Sequence, residues 1–504
     1  MKETTQTNLP TFPVELYGHS LKYEIECMLK IFLPATKFVF SYETASLLRS
    51  AEQGAFLQLK QGKQFTWFFC VLRYQGKSRR CAAKLPKCTP EENKQTCEYQ
   101  FSRMLFTLLQ DITGIEVPWG LLTGIRPVRK AFSMMEESGE SLDAVMEQLR
   151  TVYLVSPEKL SLLRKTAEVQ LPLLRQTPKR SVGFYISIPF CPTRCSYCSF
   201  VSHSIAQAKH LMPEYIRLLC RELEIWGDII QKLQVTVDTI YFGGGTPTSI
   251  SAEALEQLLQ TVVRVFDLSK VREFCVEAGR PDSITREKLQ AIQEYPVTRI
   301  SVNPQTMNQE TLDIIGRRHT VEQTKEAFHL ARELGYDNIN MDLIVGLPGE
   351  DIHMVERTLE QVRELAPDSI TVHSLAVKRA ARLNIFKEKY QEMSFENNQE
   401  IMDLTMKTAY EMGMGPYYLY RQKNMKGNFE NVGYAKVDKA GIYNILIMEE
   451  KQPIIALGAG GSSKLVFDHG QRIERVENVK DVSNYISRID EMIERKRTAI
   501  ATWL

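Results

Sequence analysis

Two patterns of apolar positions divide this chain of 504 residues. Up to about residue 180, short runs rich in β-branched and aromatic residues come first: TKFVFSY (36–42), AFLQLK (55–60), QFTWFFCVLRY (64–74) and SRRCAAKL (78–85). Such runs predict strands. Stretches with helical spacing follow at 91–112 and 156–176, the latter opened by Ser156 as N-cap with Glu158 behind it. From 182 the pattern becomes strict alternation. Strand candidates GFYISIPF (183–190), VDTIYFGG (237–244), REFCVEA (272–278), VTRISVN (297–303), NINMDLIVG (338–346) and DSITVHSL (368–375) are separated by helical stretches at 214–233, 251–266, 282–295, 320–335 and 354–365. Strands apolar on both faces belong in a parallel sheet covered by helices. Six β–α units fall short of the eight of a closed barrel, so the expectation is a partial barrel or a doubly wound sheet, with ligands at the C-terminal ends of the strands. The expected fold class is α/β. An N-terminal α+β domain occupies 1–180, a partial (β/α)6 barrel 181–380, and a small C-terminal α+β domain 381–504, built on the runs at 428–448 and 454–466.

Composition narrows the setting. The chain is 43% hydrophobic and 25% charged with a formal net charge of +2, so no global field steers it to nucleic acid or membrane. No apolar run approaches the roughly 18–20 residues of a membrane span. The opening MKETTQTNLP lacks the apolar core of a secretory signal. The ten cysteines are sparse and mostly isolated among apolar residues, as expected of a reduced cytoplasm. One run, KSRRCAAKLPK (77–87), holds five basic residues and no acid. A solvated strand or turn is its plain reading, and a rim for an anionic ligand the sharper one.

The exception among the cysteines is CPTRCSYCSF (191–200), which sets Cys191, Cys195 and Cys198 in a C-x3-C-x2-C spacing. Structural zinc uses four ligands, usually as two paired units with a spacer. A disulfide suits neither the odd count nor the compartment. An iron–sulfur cubane held by three thiolates leaves one iron open, whereas such clusters ordinarily take four cysteines. A second motif, YFGGGTPTS (241–249), ends the next strand. Its glycines permit close backbone approach to a ligand, but the motif has neither P-loop nor dinucleotide spacing. Taken alone it is as well read as a tight turn.

Together the two motifs resemble the radical S-adenosylmethionine superfamily. The resemblance implies a [4Fe-4S] cluster on Cys191, Cys195 and Cys198, whose open iron takes S-adenosylmethionine and yields a 5′-deoxyadenosyl radical. Further along, CVEAGRPDSIT, RISVNPQTMNQETLDIIGRRHT, NINMDLIVGLPGE and DSITVHSLA resemble the oxygen-independent coproporphyrinogen III oxidase branch and its HemW-like relatives over about 183–376. The added N-terminal unit is similar to the HemZ-type subgroup. By position, the likeness implies that Tyr185, Tyr197, Gly244, Gly245, Thr246 and Glu277 border S-adenosylmethionine. It implies that Gln305, Arg317 and Asp342 contact a second such molecule, and that Ala376 touches adenine. One or two S-adenosylmethionine molecules are therefore expected. No catalytic residue is assigned, and His373 is read as a satisfied core histidine. Two positions depart from the oxidase: Phe200 stands where it often has a further cysteine, as in the haem-chaperone relatives, and Ser187 where it often has histidine.

The implied activity is decarboxylation of two propionates of coproporphyrinogen III to vinyl groups, giving protoporphyrinogen IX, with a reducing electron donor as partner. The alternatives are a haem chaperone that keeps the cluster, or another radical enzyme acting on tetrapyrroles.

Overall fold

The computed structural model describes residues 10–34, 36–42, 52–89, 93–199, 202–376, 390, 393–421 and 429–503. The chain forms two compact units, residues 1–164 and residues 165–504 apart from 426–428.

In the first unit, strands β1 (Thr11–Tyr17), β2 (Lys37–Tyr42), β3 (Gly54–Gln61), β4 (Phe65–Tyr74) and β5 (Lys77–Pro86) form a sheet of order β2-β1-β3-β4-β5. β1 runs parallel to β2 and β3, and the remaining pairs are antiparallel. Period-two alternation decides which face is buried. Thr66, Phe68, Cys70 and Leu72 of β4 point into the core. There Phe68 meets Phe101 of the helix Lys94–Thr113 edge to face at 5.1 Å. Asn93 caps that helix by accepting from the Thr96 amide, and Gly114 ends it in the left-handed region at φ 67°. The strand β1 was not expected. Pro13 marks TFPVELY as a poor strand, yet β1 lies between β2 and β3 in the sheet.

The second unit is built on an eleven-stranded sheet. Six strands follow the expected β–α order: β6 (Ser181–Ile188), β7 (Thr236–Gly244), β8 (Glu273–Glu277), β9 (Arg299–Ser301), β10 (Ile339–Val345) and β11 (Ser369–Ser374). Each is parallel to the one before it. Their order never reverses, which is the topology of a partial barrel rather than a doubly wound sheet. The helices between them bury apolar stripes on the sheet. Met212–Leu233, for example, buries Leu219, Leu223 and Trp226.

The C-terminal residues join this sheet instead of standing apart. β12 (Gly415–Arg421) and β13 (Glu430–Ala435) extend it antiparallel beyond β11. On the opposite edge β14 (Ile454–Leu457) pairs parallel with β6 as a seventh parallel strand, followed by β15 (Ser462–Phe467) and β16 (Arg472–Glu477). Buried polar ties hold that edge. Lys496 pairs with Glu222 and donates to the Ala456 carbonyl at 2.9 Å. Tyr485 donates to the same carboxylate at 2.6 Å. The division between the two units falls at 164/165, within the helix Pro157–Arg175.

Candidate functional site

The C-terminal ends of β6–β11 open on one cavity of about 440 Å³, within the usual size range of a cofactor pocket. The loop after β6 brings Cys191, Cys195 and Cys198 to its wall. Cys195 is buried, while Cys191 and Cys198 are half-buried. The Ser196 amide donates to the Ile315 carbonyl at 2.9 Å, tying this loop to the segment after β9. Among the described residues, no three of His, Cys, Asp and Glu are gathered around a single point as a one-ion site.

The glycines explain themselves by what a side chain would strike. A Cβ on Gly245 would lie 2.5 Å from the Phe190 carbonyl oxygen and 2.9 Å from Cys191 Sγ. Gly244 has φ 107°, and its Cβ would meet Ser187 Oγ at 2.9 Å. A Cβ on Gly243 would press on the rings of Tyr241 and Tyr185. Backbone thus lies bare beside the cysteine loop, and Thr246 Oγ1 stands 3.7 Å from Cys191 Sγ. Three thiols and this bare backbone on one cavity fit a cubane and the amino-acid end of S-adenosylmethionine.

Glu277, at the end of β8, accepts a hydrogen bond from the Tyr241 hydroxyl. Burial raises its carboxyl to about 7; the Tyr241 hydrogen bond opposes the shift and the Asp342 charge adds to it. Asp342 accepts from Asn340 Nδ2 at 2.8 Å and lies 4.0 Å from His373 Nε2. Gln305 has φ 70°, a strained backbone for a non-glycine residue. The β10 backbone holds it there: its amide donates to the Asp342 carbonyl at 3.0 Å and its carbonyl accepts from the Ile344 amide at 2.9 Å. Arg317 donates to the Tyr197 hydroxyl at 3.1 Å and to the Asn303 carbonyl at 2.7 Å. Tyr197, Gly244, Gly245, Thr246, Glu277, Gln305, Arg317, Asp342 and Ala376 therefore all border the cavity that the cysteines border, as does His373.

Tyr185 is placed differently from the other expected residues. Its ring stacks on Tyr241 (6.0 Å between centroids) and Tyr443 (6.3 Å), behind Glu277 and outside the cavity lining. Ser187 lies beneath Gly244, donating to the Ala459 carbonyl at 2.9 Å. Phe200 falls outside the described residues.

Several lining residues escaped sequence reasoning. Arg280 is buried and donates to Cys195 Sγ at 3.4 Å, to Thr193 Oγ1 at 3.1 Å and to Asp282. Its only sequence signal was the pair Arg280 and Asp282 directly after a strand end. Asn303 presents its amide oxygen to the Asp342 backbone N–H at 3.2 Å. Tyr418, Tyr420 and Asn431 come from β12 and β13, which no local pattern could place at the cavity. Outside the lining, His319 is fully buried beside Arg317 and Asp282, and neither ring nitrogen has a hydrogen-bond partner. Burial and the neighbouring guanidiniums bring its pKa down to about 3, so it is neutral.

A seven-stranded parallel half-barrel with three cysteines beside a glycine-lined strand end defines a class, and comparison with known proteins gives the same class. The family model of the radical SAM superfamily matches residues 185–362. The oxygen-independent coproporphyrinogen-III oxidase-like protein HemZ of Bacillus subtilis is 42% identical over 82% of this chain and 82% of its own. The haem chaperone HemW of the same organism is 32% identical over 61% of this chain and 76% of its own. The solved structure of the Escherichia coli coproporphyrinogen III oxidase HemN, a radical SAM enzyme, superposes with a TM-score of 0.50 at 22% identity, over 65% of this chain and 73% of that one. That likeness is one of fold. The chain belongs to the radical SAM superfamily, in its HemZ-, HemN- and HemW-like branch, whose cofactors are a [4Fe-4S] cluster and S-adenosylmethionine. Among the described residues, no helix is long and apolar enough to cross a membrane.

Proposed function

We propose that the protein is a radical enzyme of tetrapyrrole metabolism that decarboxylates two propionate side chains of coproporphyrinogen III to vinyl groups without oxygen. The observation that carries this reading is the grouping of Glu277, Gln305, Arg317 and Asp342 around the cavity that the three cysteines border. When bound, the cluster and S-adenosylmethionine supply hydrogen abstraction from an unactivated C–H bond, which the propionate β-carbon requires. Cys191, Cys195 and Cys198 would hold the cluster. Glu277 and Asp342 would accept from the ammonium and ribose hydroxyls of S-adenosylmethionine, and Arg317 would fork to a carboxylate. The stacked Tyr185, Tyr241 and Tyr443 form an apolar backing that keeps water from Glu277.

The 42% identity to a coproporphyrinogen-III oxidase-like protein supports this reading, and the 32% identity to a haem chaperone supports the second one, in which the same cluster fold carries haem. Anaerobic turnover separates them. Reconstituted protein, S-adenosylmethionine, a low-potential reductant and coproporphyrinogen III should give vinyl products, CO2 and 5′-deoxyadenosine in step. Stoichiometric haem binding without vinyl product, where a known oxidase turns over, would establish the chaperone instead.

A further inference from the structure

Arg280 brings a buried cation to a cluster thiol from the end of a neighbouring strand. Its Nη1 donates to Cys195 Sγ at 3.4 Å and to the Thr193 carbonyl at 3.3 Å. Its Nη2 reaches Thr193 Oγ1 at 3.1 Å, and Asp282 takes the other edge of the fork at 2.9 and 2.7 Å. Arg280 is 3% exposed, so solvent screens it little. Arg317 lies nearby as a second buried cation and His319 is neutral.

We propose that Arg280 sets the reduction potential of the cluster by hydrogen-bonding the Cys195 thiolate. Reduction adds one negative charge to a cluster already carrying three thiolates. A fixed cation and an N–H donor at one sulfur favour that added charge, and hydrogen bonds to sulfur and net charge are the levers that tune such potentials. Asp282 acts with the opposite sign, offsetting part of the guanidinium's field while fixing its orientation. Arg280 is thus a positioning residue acting through Cys195. The inference rests on the cluster alone and holds whether the protein is an oxidase or a chaperone.

The test is an EPR-monitored redox titration of the anaerobically reconstituted full chain, without S-adenosylmethionine, beside iron and sulfide analysis. Arg280→Gln should keep its iron while its reduced-to-oxidised ratio at a given potential falls about tenfold, a shift of about 59 mV to more negative potential for one electron. Arg280→Lys should move the same way by less, since it keeps the charge and loses the fork. Asp282→Asn should move to more positive potential. An unchanged potential in Arg280→Gln with full iron overturns the proposal, as do shifts of one sign in both the Arg280 and the Asp282 variants. If Arg280→Gln fails to hold iron, the signs measured in Arg280→Lys and Asp282→Asn decide by the same criterion.

Discussion

Gly245→Ala is the smallest change that should expel the cluster. The new methyl would sit 2.5 Å from the Phe190 carbonyl oxygen and 2.9 Å from Cys191 Sγ, about 1 Å inside a comfortable nonbonded distance. The nearest atom is backbone, so no rotamer change relieves the contact. The Gly245 amide is also tied to the Ile188 carbonyl at 2.8 Å. Either the end of β6 or the glycine loop must therefore shift, and Cys191 moves with the former. Overpacking of this kind costs roughly 1–3 kcal/mol. The stability loss alone is modest, roughly 1–2 °C in Tm per kcal/mol for a unit of this size. The larger consequence falls on the cluster, because its three thiols must keep their relative positions. Iron per chain after anaerobic reconstitution should drop well below half the wild-type value, with loss of the charge-transfer absorbance. Gly415→Ala is the control: no atom lies within 4 Å of its Cβ and its φ is not positive. Full iron and a wild-type spectrum in Gly245→Ala would refute the reasoning.

Replacing Cys191, Cys195 or Cys198 by Ala should abolish the cluster chromophore and S-adenosylmethionine cleavage together, while Cys220→Ala and Cys275→Ala, both buried elsewhere in the second unit, keep them. Because burial raises the Glu277 carboxyl to about 7, its acceptor form fills as pH rises from 6 to 8. S-adenosylmethionine affinity should therefore rise by up to about tenfold in all over that window; Glu277→Gln should remove that part of the pH dependence, and parallel profiles for the two proteins would exclude it. Lys496→Met leaves Glu222 buried without its cation, and such a loss typically costs about 3–5 kcal/mol. A Tm within 1 °C of wild type would show that the pair does not hold β14 to the sheet.

Much of the second unit was legible in the chain because local physics and global fold agree there. Apolar strands such as VDTIYFGG and NINMDLIVG can be buried only in a parallel sheet, and the helical periods between them fix the crossovers. The cysteine spacing and the adjoining glycines lie on consecutive strand ends, so a rule about where parallel strands present ligands brings them together before any coordinates are known. Glu277, Gln305 and Asp342 were pointed to by the family resemblance, and all three border the cavity.

What stayed hidden depends on distance in sequence. β14 is only four residues long, with nothing local to say that it pairs with β6, more than 260 residues away. Tyr418 and Asn431 reach the cavity because β12 and β13 extend the sheet past β11, a pairing set by tertiary packing. β1 forms despite Pro13 because neighbours on both sides satisfy its remaining backbone groups. Arg280 can serve as a buried donor to Cys195 only because folding places Thr193 and Asp282 around its guanidinium. The sequence by itself thus determined which strand ends carry the chemistry, since alternation and motif spacing are local. Tertiary structure alone decided which buried charges stand beside the thiols, because the burial and pairing that fix a charge's field arise only when distant segments meet.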